Sequence, residues 1–279
     1  MIGSPGVGEA VVWMGRSTIF RMVIRYTGKT VNMHDSTQIS SPLTRNPFRI
    51  ITGIFSGIVA VAVALALLIL ILPQQAFLAI SNYLQIVTAI GGALVLLLLY
   101  YRTARPEYLL YASAALGLWG IATIARDVNV LLGGRAEVFP GLIDMGMIAA
   151  ILILGVAVQM SFPRRQVQPL ALFGILALLL VTPVIIILLQ GITSATLITL
   201  LFFFGCASLI VTGLNHSLRD YPLIFTGVLL FAIAFMAYPI RERFFPTNSF
   251  LNIIGTLVIA GFALIVIGYI RSADKSGSE

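Results

Sequence analysis

Eight times along this chain, a largely uncharged apolar run of about twenty residues recurs: 50–72, 76–101, 108–124, 141–162, 169–189, 194–214, 221–240 and 250–270. About twenty residues of helix cross a hydrocarbon layer of about 30 Å. Inside lipid every backbone N–H and C=O must find its partner within the protein, so runs of this length predict helices and not irregular chain. The fold class expected is all-α, a polytopic integral membrane helix bundle of about eight transmembrane helices. Composition agrees, since 59% hydrophobic and 10% charged residues lie far from a soluble domain. The connections are short, so residues 50–271 are expected to form one membrane domain, preceded by a basic segment at 1–49 and followed by a short tail at 272–279.

Lys and Arg choose the side. Assigned to alternate ends of the eight runs, thirteen fall with the N-terminal segment, the even-numbered connections and the tail, and four fall opposite. By the positive-inside rule both termini face the cytoplasm, in the cell membrane. The net charge of +7 is then a topological signal and an attraction to the anionic lipids of the inner leaflet, with no nucleic acid required.

The segment 1–49 differs from the rest. "EAVVWMGRSTIFRMVIRYTGK" mixes apolar residues with Arg16, Arg21 and Arg25, as a basic interfacial helix would. Equally, Met33 reads as the true start, with a polar lead into the first span. It lacks the apolar core and small-residue cleavage site of a signal peptide. "TGKT" is not a phosphate loop, because Val23 stands where a Walker motif needs glycine.

Catalysis within a membrane needs a nucleophile with its base, a metal cluster or facing carboxylates, and the runs contain none of these patterns. His34 and His216 lie in the N-terminal segment and at a span end, so no span interior offers a haem or metal ligand. The last run carries no lysine for a retinal Schiff base. Cys206 lies alone in "LFFFGCASLIV", where it reads as a small buried residue. The expectation is a non-enzymatic protein without catalytic, cofactor or metal-binding residues.

What polarity the spans carry gathers at one place. Trp119, Thr123, Arg126 and Asp127 share an arc near the outer end of the third span, and Asp144 sits about one turn inside the fourth. Asn82 and Gln85, three residues apart, share a face near the outer end of the second. Two readings stand: an external pocket lined by Trp119, Arg126, Asp127, Asp144, Asn82 and Gln85, or an Arg126–Asp144 ion pair pinning two helix ends, with Asp144 also favoured by its helix dipole. Tyr100, Tyr101, Tyr108, Tyr111, Tyr221, Tyr238 and Tyr269 fall at span ends, as an aromatic belt requires. Gly91, Gly92, Gly117 and Gly120 mark close helix contacts, and Pro183, behind Thr182, is expected to kink the fifth span.

The stretch "LWGIATIARDVNVLLGGRAEVFPGLIDMG" resembles the helical hairpin of multi-helix (7TM/8TM) membrane sensor regions found in the N-terminal part of archaeal and bacterial histidine kinases. The shared features are a Trp in one span, an acid at its outer end and Pro140 four residues before Asp144; Gly141 stands where serine is usual. That resemblance implies a sensor-like or accessory membrane module. Without an output domain after residue 271, it would act through a protein partner or a homo-oligomer. The alternative is a small-solute or ion transporter. A dry, close-packed centre counts against transport; a solid plug at the third and fourth spans counts against sensing.

Overall fold

The computed structural model describes residues 47–103, 106–132, 142–161, 191–215, 221–244 and 252–276, with isolated positions between 174 and 189. Every regular element among them is helical: α1 (Pro47–Leu67) running into a 3-10 turn at Leu68–Leu70, α2 (Gln74–Arg102), α3 (Glu107–Leu131), α4 (Leu142–Ser161), α5 (Ser194–Asn215), α6 (Pro222–Phe244) and α7 (Ile253–Ser276). These occupy the first four and the last three expected spans. The fifth run lies largely outside the described residues, with helix seen at 183–185 and 187–189 and Thr182 not described. Residues 1–46 of the basic segment, Met33 included, and both histidines also lie outside them. Six helices are long and apolar enough to cross a membrane, and α6 has the shorter apolar stretch Pro222–Tyr238.

Local chemistry sets the helix ends. Pro73, with φ −55° and ψ 136°, precedes α2 and its carbonyl accepts from the Phe77 N–H. This is where proline's missing N–H costs nothing. Gly191 has φ +70°, and its N–H bonds the Ile187 carbonyl, the left-handed stop that glycine makes without strain. Two residues on, the Thr193 hydroxyl accepts the Thr196 N–H and caps α5. α3 runs to Leu131, seven residues beyond the expected end of the apolar run at 124, so Arg126, which lines a polar recess, and Asp127 beside it are both helical.

α2 to α7 close a ring, each packing on the next and α7 returning to α2, while α1 lies against α7. α7 is the most enclosed: 78% of its apolar stretch is buried, against 17% for α1, whose remaining surface is left for lipid. In hydrocarbon, helices gain little by hiding apolar groups from each other, so close backbone approach through small residues carries the packing. The α6–α7 seam shows this most directly. A Cβ on Gly227 would lie 2.6 Å from the Gly261 carbonyl, and one on Gly261 2.9 Å from the Gly227 carbonyl. Of the glycines singled out in sequence, Gly92 and Gly120 are tightly enclosed, by Leu116 and Ile90, whereas Gly91 faces open space.

The bundle has two distinct ends. At one, Tyr108 stacks on Tyr269 at 5.7 Å, and the Arg102 guanidinium lies 5.7 Å from the Phe48 ring centre. Tyr269 is fully buried, with its hydroxyl 3.0 Å from Ser161 Oγ, so it is a packed interhelical residue and not part of an interfacial belt. Ser161 donates to the Ala157 carbonyl, which leaves Tyr269 as donor in that pair. The other end holds the polar recess described below.

Gly227→Ala should lower the melting temperature in detergent, since overpacking costs about 1–3 kcal/mol. Gly91→Ala, with nothing within 4 Å of its new methyl, should leave it unchanged or raised. Equal effects of the two would show that the seam is not a packing constraint.

Candidate functional site

A recess of about 60 Å³ opens among α2, α3, α4, α6 and α7. By volume it holds about four waters or a compact solute. Every contributing helix brings the same end of the bundle to it: the first half of α2 and the starts of α4 and α7, the second half of α3 and the last turns of α6. α2 supplies Ser81, Asn82 and Gln85; α3 supplies Trp119 and Arg126. Tyr238 comes from α6, and Asn252 with Gly255 from the start of α7. Leu78, Met147, Ile254 and Val258 make the apolar part of the wall.

The floor is aromatic. The Trp119 ring meets Phe235 edge-on at 4.3 Å, Phe231 at 5.6 Å and Phe262 at 5.7 Å, and Phe202 stacks on Phe235 at 5.8 Å. Edge-to-face rings at these separations attract beyond their buried area. All five rings are buried, so the recess ends against a filled apolar layer.

Trp119 also carries an unmet demand. Its side chain is 3% exposed, and the indole Nε1 is a buried donor without a hydrogen-bond partner. Leaving such a donor unpaired costs about 1–3 kcal/mol. Around it, Gln85 Nε2 donates to Ser81 Oγ at 3.4 Å, and Arg126 Nε donates to Asp127 Oδ1 at 3.4 Å. α7 approaches closely because residue 255 is glycine: a Cβ there would overlap Ser81 Oγ and come within 2.9 Å of Gln85 Nε2.

Of the six residues singled out in sequence, Asn82, Gln85, Trp119 and Arg126 line this one recess. Asp127 reaches it through its pair with Arg126. Asp144 is buried behind the wall, where the Tyr238 hydroxyl donates to its Oδ1 at 3.5 Å, the long limit for such a bond. The expected ion pair differs in its partner: Arg126 pairs with its neighbour Asp127, because the continuing helix α3 carries both outward together. Arg135 and Glu137 lie outside the described residues.

Sequence reasoning did not join Ser81, Tyr238, Asn252 or Gly255 to the site. Spacing held a clue, since Ser81 is four residues from Gln85, and Tyr238 lies three and seven from Phe235 and Phe231 on one stripe of α6. Among the described residues no group of three or more His, Cys, Asp or Glu could hold a metal ion, and Cys206 is buried.

Comparison with protein-family models, with curated proteins and with solved structures finds no match for this chain. What fold and site define is therefore a class by architecture: among the described residues, an all-helical bundle with six helices long and apolar enough to cross a membrane and a polar recess at one end.

Trp119→Phe keeps a ring against Phe235 and removes the unpaired N–H, so it should cost far less stability than Trp119→Ala, for which about 3–5 kcal/mol is expected. Denaturant unfolding in a fixed detergent checks this; equal losses would mean that ring packing does not dominate at this position.

Proposed function

We propose that the chain is a non-enzymatic, sensor-like multi-pass protein of the cell membrane, with both termini cytoplasmic. In this reading it takes a small solute from outside at the recess and passes the signal to a protein partner. The observation that carries the reading is the recess itself: polar side chains from four helices surround a buried indole N–H that no protein group satisfies, above a filled aromatic floor. A transporter needs its polar path to continue through the bilayer midplane. Here the polar residues stop where Trp119, Phe231, Phe235 and Phe262 meet.

Orientation rests on charge. Arg49, Arg102 and Arg271 lie at the starts or ends of α1, α2 and α7 that share the Tyr108–Tyr269 end, so the thirteen-to-four division of Lys and Arg turns that end to the cytoplasm and the recess outward. α7 joins the two ends, with Asn252 and Gly255 at the recess and Tyr269 fully buried at the other.

Two measurements test the reading. With Cys206 replaced by alanine, an impermeant maleimide should label Gln75→Cys in intact cells and Lys275→Cys only after permeabilisation; the reverse pattern would invert the topology. A fluorophore on Arg271→Cys in proteoliposomes should respond to a solute that fills the recess while that solute shows no counterflow. Counterflow would replace the sensor by the transporter.

A further inference from the structure

The lining of the recess says what kind of solute it suits. We infer that the recess binds a compact carboxylate of about four to six heavy atoms, a size set by its volume of about 60 Å³. This rests on the ligand-site reading above and adds the chemical class.

Donors outnumber acceptors on the wall. The Trp119 indole can only donate, and it is buried without a partner. Arg126 can only donate too. It has five N–H groups in a planar fork, of which Nε–H is given to Asp127, and the side chain lines the recess. Asn82 and Gln85 bring amide N–H groups, and α7 begins at the recess, so the positive end of its helix dipole also faces this site.

Among the described residues no carboxylate lines the recess. Asp127 is paired with Arg126, and Asp144 is buried beside Tyr238, whose hydroxyl proton is directed at it. A solute that presents two acceptor oxygens would satisfy the indole N–H and the guanidinium together. A cation would leave both donors unmet and would place charge beside Arg126. Leu78, Ile254 and Val258 leave an apolar part of the wall, which suits a short aliphatic tail and disfavours a fully hydrated inorganic ion.

The chain has two tryptophans, Trp13 and Trp119, so Trp13→Phe makes Trp119 the sole indole reporter at the site. The full chain carrying this change, in lipid nanodiscs, is titrated with acetate, propionate and glycine, and with acetamide and methylammonium as uncharged and cationic controls. The carboxylates should shift the emission saturably with half-saturation near about 1 mM, the range open to so few atoms. Comparison of acetate with glycine separates a plain carboxylate from an amino acid.

Arg126→Gln should raise the half-saturation at least about tenfold and Arg126→Lys by less, since lysine keeps the charge and loses the fork. Gly255→Ala, whose methyl would overlap Ser81 Oγ and press on Gln85, should weaken binding and also lower the melting temperature, so it is read beside Arg126→Gln and not alone. Saturation by acetamide as good as by acetate, or indifference to Arg126→Gln in a variant that melts normally, would overturn the carboxylate assignment and leave a ligand site of another chemistry. An emission that none of the five solutes moves would overturn both the assignment and the ligand-site reading.

Discussion

The close approach of α6 and α7 at Gly227 and Gly261 is the constraint from which the rest of the bundle is built. In water, burying apolar area would hold such helices together; in lipid the surroundings are as apolar as the interface, and contact distance matters instead. With carbonyls within 3 Å of where each missing Cβ would stand, the two backbones pack without side chains between them. α7 thereby reaches the interior, where α1 and α2 cover its other faces and where Val258, Phe262 and Val266 become core. Tyr269 follows from the same placement. A tyrosine so enclosed needs a partner, and Ser161 on α4 supplies one.

Much of this was legible in the sequence, and unevenly. Run length located the seven described helices within a few residues at most ends, because a span must cross a fixed thickness and prolines and polar clusters mark where it stops. The end of α3 was legible only in part: spacing puts Arg126 and Asp127 on its outer arc, but the apolar run stops at 124 and nothing in it says that helix continues to Leu131. Gly92 and Gly91 are adjacent and chemically identical, yet one is enclosed by Leu116 and Val266 and the other open, a distinction that depends on helix rotation. Tyr238 and Tyr269 look like belt residues by position, while their burial depends on which face meets α4.

The site divides in the same way. Periodicity put Trp119 and Arg126 on one stripe and Asn82 with Gln85 on another, since both relations lie within a single helix. That these stripes converge, and that Asn252 and Gly255, more than a hundred residues further on, join them, is a matter between helices and not within one. Gly255 is the plainest case: nothing in "FLNIIGTLV" says that its missing Cβ is the space occupied by Ser81 and neighboured by Gln85. Nor does any spacing reveal that an indole N–H goes unpaired, because that follows from the packing of Phe231, Phe235 and Phe262 around the ring.

Position along the helix explains why the polar groups are tolerated. Arg126 lies seven residues, about 10 Å, beyond Trp119 toward the end of α3, and a charge near a helix end costs far less than one at the centre of the bilayer. Polarity falls along that distance, from the Arg126–Asp127 pair through the amides of Asn82 and Gln85 to a lone N–H at the aromatic floor. A solute entering such a gradient would exchange water for protein donors step by step and meet its last one at Trp119. Below that ring the described core is largely apolar, and a hydroxyl there such as Ser113 is given to a backbone carbonyl, that of Ala93. α7 is the element with contacts at both places: Gly255 touches the Ser81–Gln85 pair, and Tyr269, about 21 Å along the same helix, holds Ser161 and Tyr108.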